Sequence, residues 1–431
     1  MTLPEALSYA HAHQPAILAG LARVAAREED AKVPSAQWLP MLGATAQVLA
    51  GTNNNTSTSY VGTDYLDIPR IGGSPASLPT SSGTWKPYPS TLVGAGITQE
   101  VFDFGRISAK RAAADALVQV QKQASLMSRL DVDFSVEEAY FAVWAAKGVL
   151  KASEDAYTRA KSHRDLAKAG TDSGLRSPIE LTRAEALLAR FDIGLIRARG
   201  GLAVAHSVLA ASIGAPDAGI DVAGDAPKAS EMPTLSDAMR QAAARDPLVL
   251  RALAQLKADE QRTRAIGAER RPDVWATGTL SGRAGGAPTA AGTPTGEGLL
   301  PYVPNWDAAL VLTWPLFDGT VNARERAARA EEHVRREELD LARQQEVALI
   351  ERTFIQFDVA RTALPGLQQA VTAARANYDQ ADARFRAGLG TAVELADAED
   401  LRASAEIDLA LGQFDVARAR AAFGRAIAEG L

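Results

Sequence analysis

The chain has 431 residues, 23% of them charged and 6% aromatic, with a formal net charge of −6 and no cysteine. Charges of both signs, interspersed and acidic on balance, exclude the basic surface that nucleic acid requires. The missing thiols exclude disulfides, zinc–thiolate sites and cysteine nucleophiles among these residues.

Length alone would suggest two or three globular domains, but abundant alanine and few aromatics favour long helices with close-packed seams. No uninterrupted apolar run of about 18 residues occurs, so no transmembrane helix is drawn. Met1-Thr2-Leu3-Pro4-Glu5 has neither a basic n-region nor an apolar h-region. An exported protein needs a signal peptide, and the expectation is that Met1 replaces a removed one.

In chain order, the spacing predicts an opening helix to about Gln37, stopped before Pro40 because proline disfavours helix at the preceding residue. Strands follow at about 41–51 and 91–101, separated by 52–90, a stretch rich in Asn, Ser, Thr, Gly and Pro that reads as a loop. Leu42, Ala44, Ala46 and Val48 alternate with Gly43, Thr45, Gln47 and Leu49, which puts them on one face of a sheet. A helix of about sixty residues, 106–169, runs without proline. At about 1.5 Å per residue it is on the order of 90–100 Å long. Val136, Tyr140 and Val143 form a narrow apolar seam of the coiled-coil kind. Gly174 then supplies a reversal, and Ser177-Pro178-Ile179-Glu180 reads as a capping box that opens the returning helix.

The plan is then repeated. Thr2, Leu3, Ala6, Ala10, Ala12 and Pro15 recur at a constant shift as Thr234, Leu235, Ala238, Ala242, Ala244 and Pro247. Strands are expected at about 273–282 and 306–316 around a Gly/Pro/Thr-rich loop at 283–305, and a long helix at 320–387. In that helix Ile350, Phe354 and Phe357 repeat the seam, and Pro365 predicts a kink where the first half has Lys151. Thr391-Ala392-Val393-Glu394, after Gly388, repeats the tip. The expected organisation is therefore a first repeat at 1–213, a Pro/Gly-broken linker at 214–233 and a second repeat at 234–431.

Strands of about ten residues with one apolar face can cross a bilayer when tilted. The same pattern also suits a small soluble sheet with one buried face. Four strands cannot close a barrel, and an open sheet edge in lipid leaves backbone groups without partners. Membrane strands would have to be pooled from several chains.

Three features in this order resemble the outer-membrane efflux protein family of TolC. They are the duplicated plan, the Phe-Asp pairs after the second strand of each half (Phe102-Asp103, Phe317-Asp318), and the Gly-Leu-x-Ser/Thr-x-x-Glu-Leu tips. The resemblance covers nearly the whole chain. It implies a mainly α fold with a small β part, as a homotrimer with a twelve-stranded β-barrel continued by a periplasmic α-helical barrel. The termini and 214–233 would form an equatorial region. It further implies a passive exit duct in the outer membrane, surrounded by its lipid, working with a periplasmic adaptor and an inner-membrane transporter in a tripartite pump or type I secretion system. The two polar loops would lie outside the cell.

Carried over residue by residue, the acidic entrance positions of the family fall on Glu394 and Asp397, three apart and so on one helix face. Their first-half equivalents are Glu180 and Arg183. Glu394 is equally explained as the capping-box residue, and Asp397 as a complement to the helix dipole. The adaptor-contacting positions are Gly174, Leu175, Ser177, Gly388, Leu389 and Thr391. Turn chemistry alone accounts for the Gly and Ser/Thr, but less well for two exposed leucines.

Enzyme chemistry finds no support. His11, His13, His163, His206 and His333 form no Glu-x-x-His or His-Glu-x-x-His pair, and Gly94-Ala95-Gly96 lies inside a strand pattern. No catalytic residue, cofactor or metal site is expected. The competing reading is a soluble periplasmic coiled-coil scaffold without a channel.

Overall fold

A computed structural model describes residues 1–51, 88–174, 176–215, 219–223, 233–285 and 303–429. Most of both polar loops, Leu175 and most of the 214–233 linker fall outside the described residues. The elements, in order, are α1 (Leu3–His13), α2 (Pro15–Asp30), α3 (Val33–Ala36), β1 (Met41–Gly51), β2 (Tyr88–Phe102), α4 (Arg106–Asp172), α5 (Pro178–Ile213), α6 (Leu235–Arg245), α7 (Pro247–Ala268), β3 (Asp273–Gly285), β4 (Val303–Thr313), α8 (Gly319–Arg386) and α9 (Ala392–Ala426). They fall into two compact units.

The first unit comprises Met1–Ala26, Gln119–Gln255 and Arg336–Leu431. It has two main apolar cores. One joins Ala6, Ala10, Ile17, Val136, Tyr140 and Val143 to Leu209 and Ile213. The other joins Ala238, Ala242, Ile350 and Phe357 to Val416 and Phe423, with Phe354 packed against it. Of the repeated alanines, Ala6, Ala10, Ala238 and Ala242 are fully buried, and their small side chains let α1 and α6 lie close on the long helices, while Ala12 and Ala244 are exposed. The aromatic rings do the filling: Phe354 meets Phe423 edge-on at 5.9 Å, and Phe357 stacks on it at 6.2 Å. Each such buried side chain contributes roughly 1.5–3 kcal/mol.

The opening helix expected to run to Gln37 is instead three helices. Gln14 N still donates to Ala10 O at 2.8 Å, but Pro15 has no N–H to continue the ladder and starts a new helix as its first residue. Pro247 does the same for α7. Pro365, by contrast, sits inside α8 without ending it.

The second unit, Arg27–Val118 with Leu256–Arg335, holds the sheet. Its order is β1-β2-β3-β4, antiparallel throughout, with Ala44 opposite Ala95, Ile97 opposite Gly278 and Gly278 opposite Ala308. The register slips once, between Glu100 and Phe102. There β2 bends toward its exit, and Arg106 holds both oxygens of the buried Glu100 carboxylate at 2.5 and 2.6 Å. β2 and β3 extend further than the sequence suggests, and β4 lies a few residues earlier, so each takes residues from the adjoining loops.

Each Phe-Asp pair has a local cause. Asp103 accepts from the backbone N–H of Gly105 at 3.0 Å and of Ile107, and Asp318 accepts from Thr320 and Val321 at 2.7 and 3.2 Å. Both aspartates cap the start of a long helix. Those donors hold the Asp318 carboxyl below the usual carboxylate range.

The apolar face of the sheet is open. Leu42 is 77%, Val48 81% and Leu310 77% exposed, while Gly94, Glu100, Thr279 and Ser281 on the other side are buried. A soluble sheet would cover those side chains. β4 exposes Ala309 and Val311 as well, because as an edge strand it has a neighbour on one side only.

Transmembrane potential needs one correction. α5 contains an 18-residue window of mean hydropathy 1.2, long and apolar enough by length and composition to cross a membrane. It escapes a search for unbroken apolar runs because Gly, Ser, His and Arg interrupt it. Only 22% of that window is buried, and Ile193, Ile196, Val204 and Val208 are exposed.

Candidate functional site: the hairpin tips

The two hairpins, α4–α5 and α8–α9, turn at Gly174 and Gly388, which take φ of +70° and +75°. A side chain would be strained there. At the second tip Leu389 N and Gly390 N both donate to Arg384 O, at 2.9 and 3.1 Å, satisfying a helix-end carbonyl. Thr391 Oγ1 then accepts from Glu394 N at 3.2 Å, and Glu394 Oε2 accepts from Thr391 N at 3.4 Å. This capping box forms as the spacing predicts.

The first tip corrects the expectation. Ser177 precedes α5 but makes no side-chain cap bond. Its carbonyl receives Glu180 N at 2.9 Å instead. Glu180 is drawn to Arg176, whose Nη1 lies 3.0 Å from its carboxylate. The same guanidinium donates to Phe385 O at 3.1 Å and lies 3.8 Å from the Phe385 ring centre. Arg176 therefore ties the first tip to the second hairpin, a role no local pattern announces.

The tip residues Gly174, Ser177, Gly388 and Thr391 are exposed, and Leu389 is 75% exposed. Leu175 lies outside the described residues. Glu394 and Asp397 are both exposed, and so is Arg183. Glu394 and Asp397 begin a narrow open face of α9 that continues through Leu401, Ser404, Asp408, Leu411 and Asp415 at alternating three-four spacing. Leu395, Ala398, Glu399, Ala403, Ala405, Ala410 and Val416 are buried. Asp408 and Asp415 could have been found by extending the same spacing.

Behind the tips, charged side chains from three helices meet around the buried Glu399. Arg159 of α4 holds the fully buried Glu399 of α9 through Nε, at 2.9 and 3.0 Å. Glu406 takes Arg375 at 2.8 Å and Arg402 at 3.3 Å. Tyr378 lies under the guanidinium groups of Arg159 and Arg402, at 5.5 and 4.9 Å. Its hydroxyl is 3.1 Å from His163 Nε2, which is 3.6 Å from Asp382. Burial pushes the Tyr378 hydroxyl up to about 12, with Glu399 and Asp382 adding to it. Burial likewise raises the Glu399 carboxyl against the pull of Arg159, and lowers His163 against that of Asp382. Among the described residues no three His, Asp or Glu side chains converge on a metal-binding arrangement.

A search of curated protein sequences returned no significant match. Solved structures share the fold over nearly all of the chain. OprN, an outer-membrane channel, is 19% identical with a TM-score of 0.77, covering 99% of this chain and 90% of its own. The CmeC outer membrane channel of Campylobacter jejuni is 14% identical with a TM-score of 0.80, covering 100% and 86%. VceC, an outer membrane protein of Vibrio cholerae, is 18% identical with a TM-score of 0.75, covering 99% and 96%. The family model for the outer membrane efflux protein matches residues 6–215 and 238–429. The chain belongs to the outer membrane efflux protein family and is an outer-membrane exit duct for efflux.

Proposed function

We propose that three copies pool their four-stranded sheets into one twelve-stranded barrel, continued by a tube of helical hairpins in the periplasm. The observation that carries this reading is a sheet whose edge strands, β1 and β4, each have one side without a neighbouring strand among the described residues, and whose apolar face is open. Lipid satisfies the face, and strand pairing between copies satisfies the edges. Exposed Phe102, Phe104, Trp314 and Phe317 beside the strand ends suit the aromatic girdle where a barrel meets lipid headgroups. The open apolar stripe of α5 is then covered by helices of a neighbouring copy. In mild detergent the protein is expected to run as a trimer; a stable monomer with full strand content would overturn the assembly.

On this reading the chain is a tandem duplication, 1–213 and 234–431 joined by 214–233 at the equator. It conducts passively, without catalysis, from an inner-membrane transporter and a periplasmic adaptor in a tripartite pump or a type I secretion system. The adaptor meets the tips at Gly174, Leu175, Ser177, Gly388, Leu389 and Thr391, with Leu389 the exposed apolar anchor. Asp397, helped by Glu394, rings the periplasmic entrance, where poorly screened carboxylates favour cations. In planar bilayers Asp397→Asn should lose cation preference and divalent block, while Arg183→Ala keeps both. An Asp397→Asn channel that conducts and blocks like the parent would remove the ring.

A further inference from the structure

Away from the tips, a cleft of about 480 Å³ opens between α1, α4 and α9. Leu3 and Leu7 of α1, Phe134 and Phe141 of α4, and Val416 and Ala421 of α9 line it with apolar surface. The rim is charged, and its charges pair with one another. His11 Nε2 is 2.5 Å from Asp133, and Arg129 Nε is 3.8 Å from the same carboxylate. Arg420 holds both oxygens of Glu429 at 2.6 and 2.7 Å, and Arg425 Nε holds Asp131 at 2.6 Å.

Glu137 is the exception. It lines the cleft one turn after Asp133, is half-buried, and makes no hydrogen bond or close ion pair among the described residues. Burial raises its carboxyl, Arg420 opposes this, and Asp133 and Glu429 add to it. A half-buried carboxylate with no direct hydrogen bond, offset only by the longer-range attraction of Arg420, is costly unless a cation reaches it.

We infer that this cleft binds an amphipathic organic cation, its ammonium group on the Glu137 carboxylate and its apolar body against Leu7, Phe134 and Phe141. The volume is that of a small-molecule site. Aromatic faces beside a carboxylate attract an ammonium group twice over. An anion would find the arginines of the rim already engaged, and a neutral body would leave Glu137 unpaired.

The probe is dansylcadaverine, a primary amine with an aromatic body, titrated by fluorescence into full-length protein in dodecyl maltoside. Empty micelles and its 5-hydroxypentyl analogue, which lacks the ammonium, serve as comparisons. Saturable, blue-shifted binding is expected, at least tenfold weaker for the hydroxyl analogue. Glu137→Gln, nearly isosteric, should keep the parent's oligomer size and melting temperature yet bind the amine at least tenfold more weakly. Phe134→Ala should weaken both probes by a similar factor. Equal affinity of parent and Glu137→Gln, equal affinity of amine and alcohol, or uptake no different from empty micelles would each overturn the assignment.

Discussion

The two tips share one eight-residue pattern, Gly-Leu-x-Ser/Thr-x-x-Glu-Leu, and end differently. At the second, Thr391 and Glu394 cap each other; at the first, Glu180 is taken by Arg176 and Ser177 is left without a side-chain cap bond. The source is an exchange of arginine and glycine. The first tip has Gly170 and Arg176, and the second has Arg384 and Gly390 at the corresponding positions. A Cβ on Gly170 would lie 2.6 Å from Arg176 Cδ, and one on Gly390 would lie 3.2 Å from Arg384 Cβ. Each tip has room for one arginine, and which position carries it decides where the glutamate goes. One motif can thus serve as a cap or as the partner of a cross-hairpin tie.

The largest way to break this arrangement lies behind both tips. Arg159→Ala would leave Glu399 buried and unpaired, and should cost about 3–5 kcal/mol, read as a lowered melting temperature in detergent. Replacing the pair together, Arg159→Met with Glu399→Leu, should recover most of that loss. A single variant that melts with the parent would show the ion pair to be dispensable.

Next comes the exchange itself. Gly390→Arg places a Cβ 3.1 Å from Phe385 N and 3.2 Å from Arg384 Cβ, and should cost about 1–3 kcal/mol through overpacking. Adding Arg384→Gly should return much of it and turn the second tip into a copy of the first. If the double variant is no better than the single, the glycine is not there for room.

Arg176→Ala follows. It removes a carbonyl hydrogen bond and a cation–π contact to Phe385, together worth about 1–2 kcal/mol. The first tip should become more open to proteolysis while the second is unchanged. Equal cleavage at both tips would mean that Arg176 does not tie them.

Much of this molecule was legible in its sequence. Period two along Leu42 to Val48 marks a strand and its apolar face, though not whether that face is open or covered, and the seam through Ile350, Phe354 and Phe357 marks a core. What was not legible depends on partners far away in the chain. No spacing around Ser177 reveals that an arginine one residue earlier will meet Phe385, or that Arg159 will find Glu399. The opening helix divides for a local reason: Pro15 lacks the N–H that would continue the ladder and starts a new helix. At the tips, the family resemblance points to Glu394 and Asp397 and their spacing puts them on one helix face, but neither shows that the face continues to Asp415.

The smallest effect tests the comparison most directly. Thr391 Oγ1 accepts one of the helix-start N–H groups that would otherwise have no intrahelical partner. Thr391→Ala should therefore cost about 1 kcal/mol and speed amide exchange in the first turn of α9. Ser177→Ala removes a hydroxyl that makes no cap bond, so α5 should change by no more than about 0.5 kcal/mol. In an Arg176→Ala background Glu180 is released, and Ser177 can form the box that its sequence encodes. There Ser177→Ala should cost what Thr391→Ala costs at the second tip. General destabilisation of the hairpin would not produce such a difference between the two backgrounds. Were Ser177→Ala equally mild in both backgrounds, Arg176 would not be what displaces the cap.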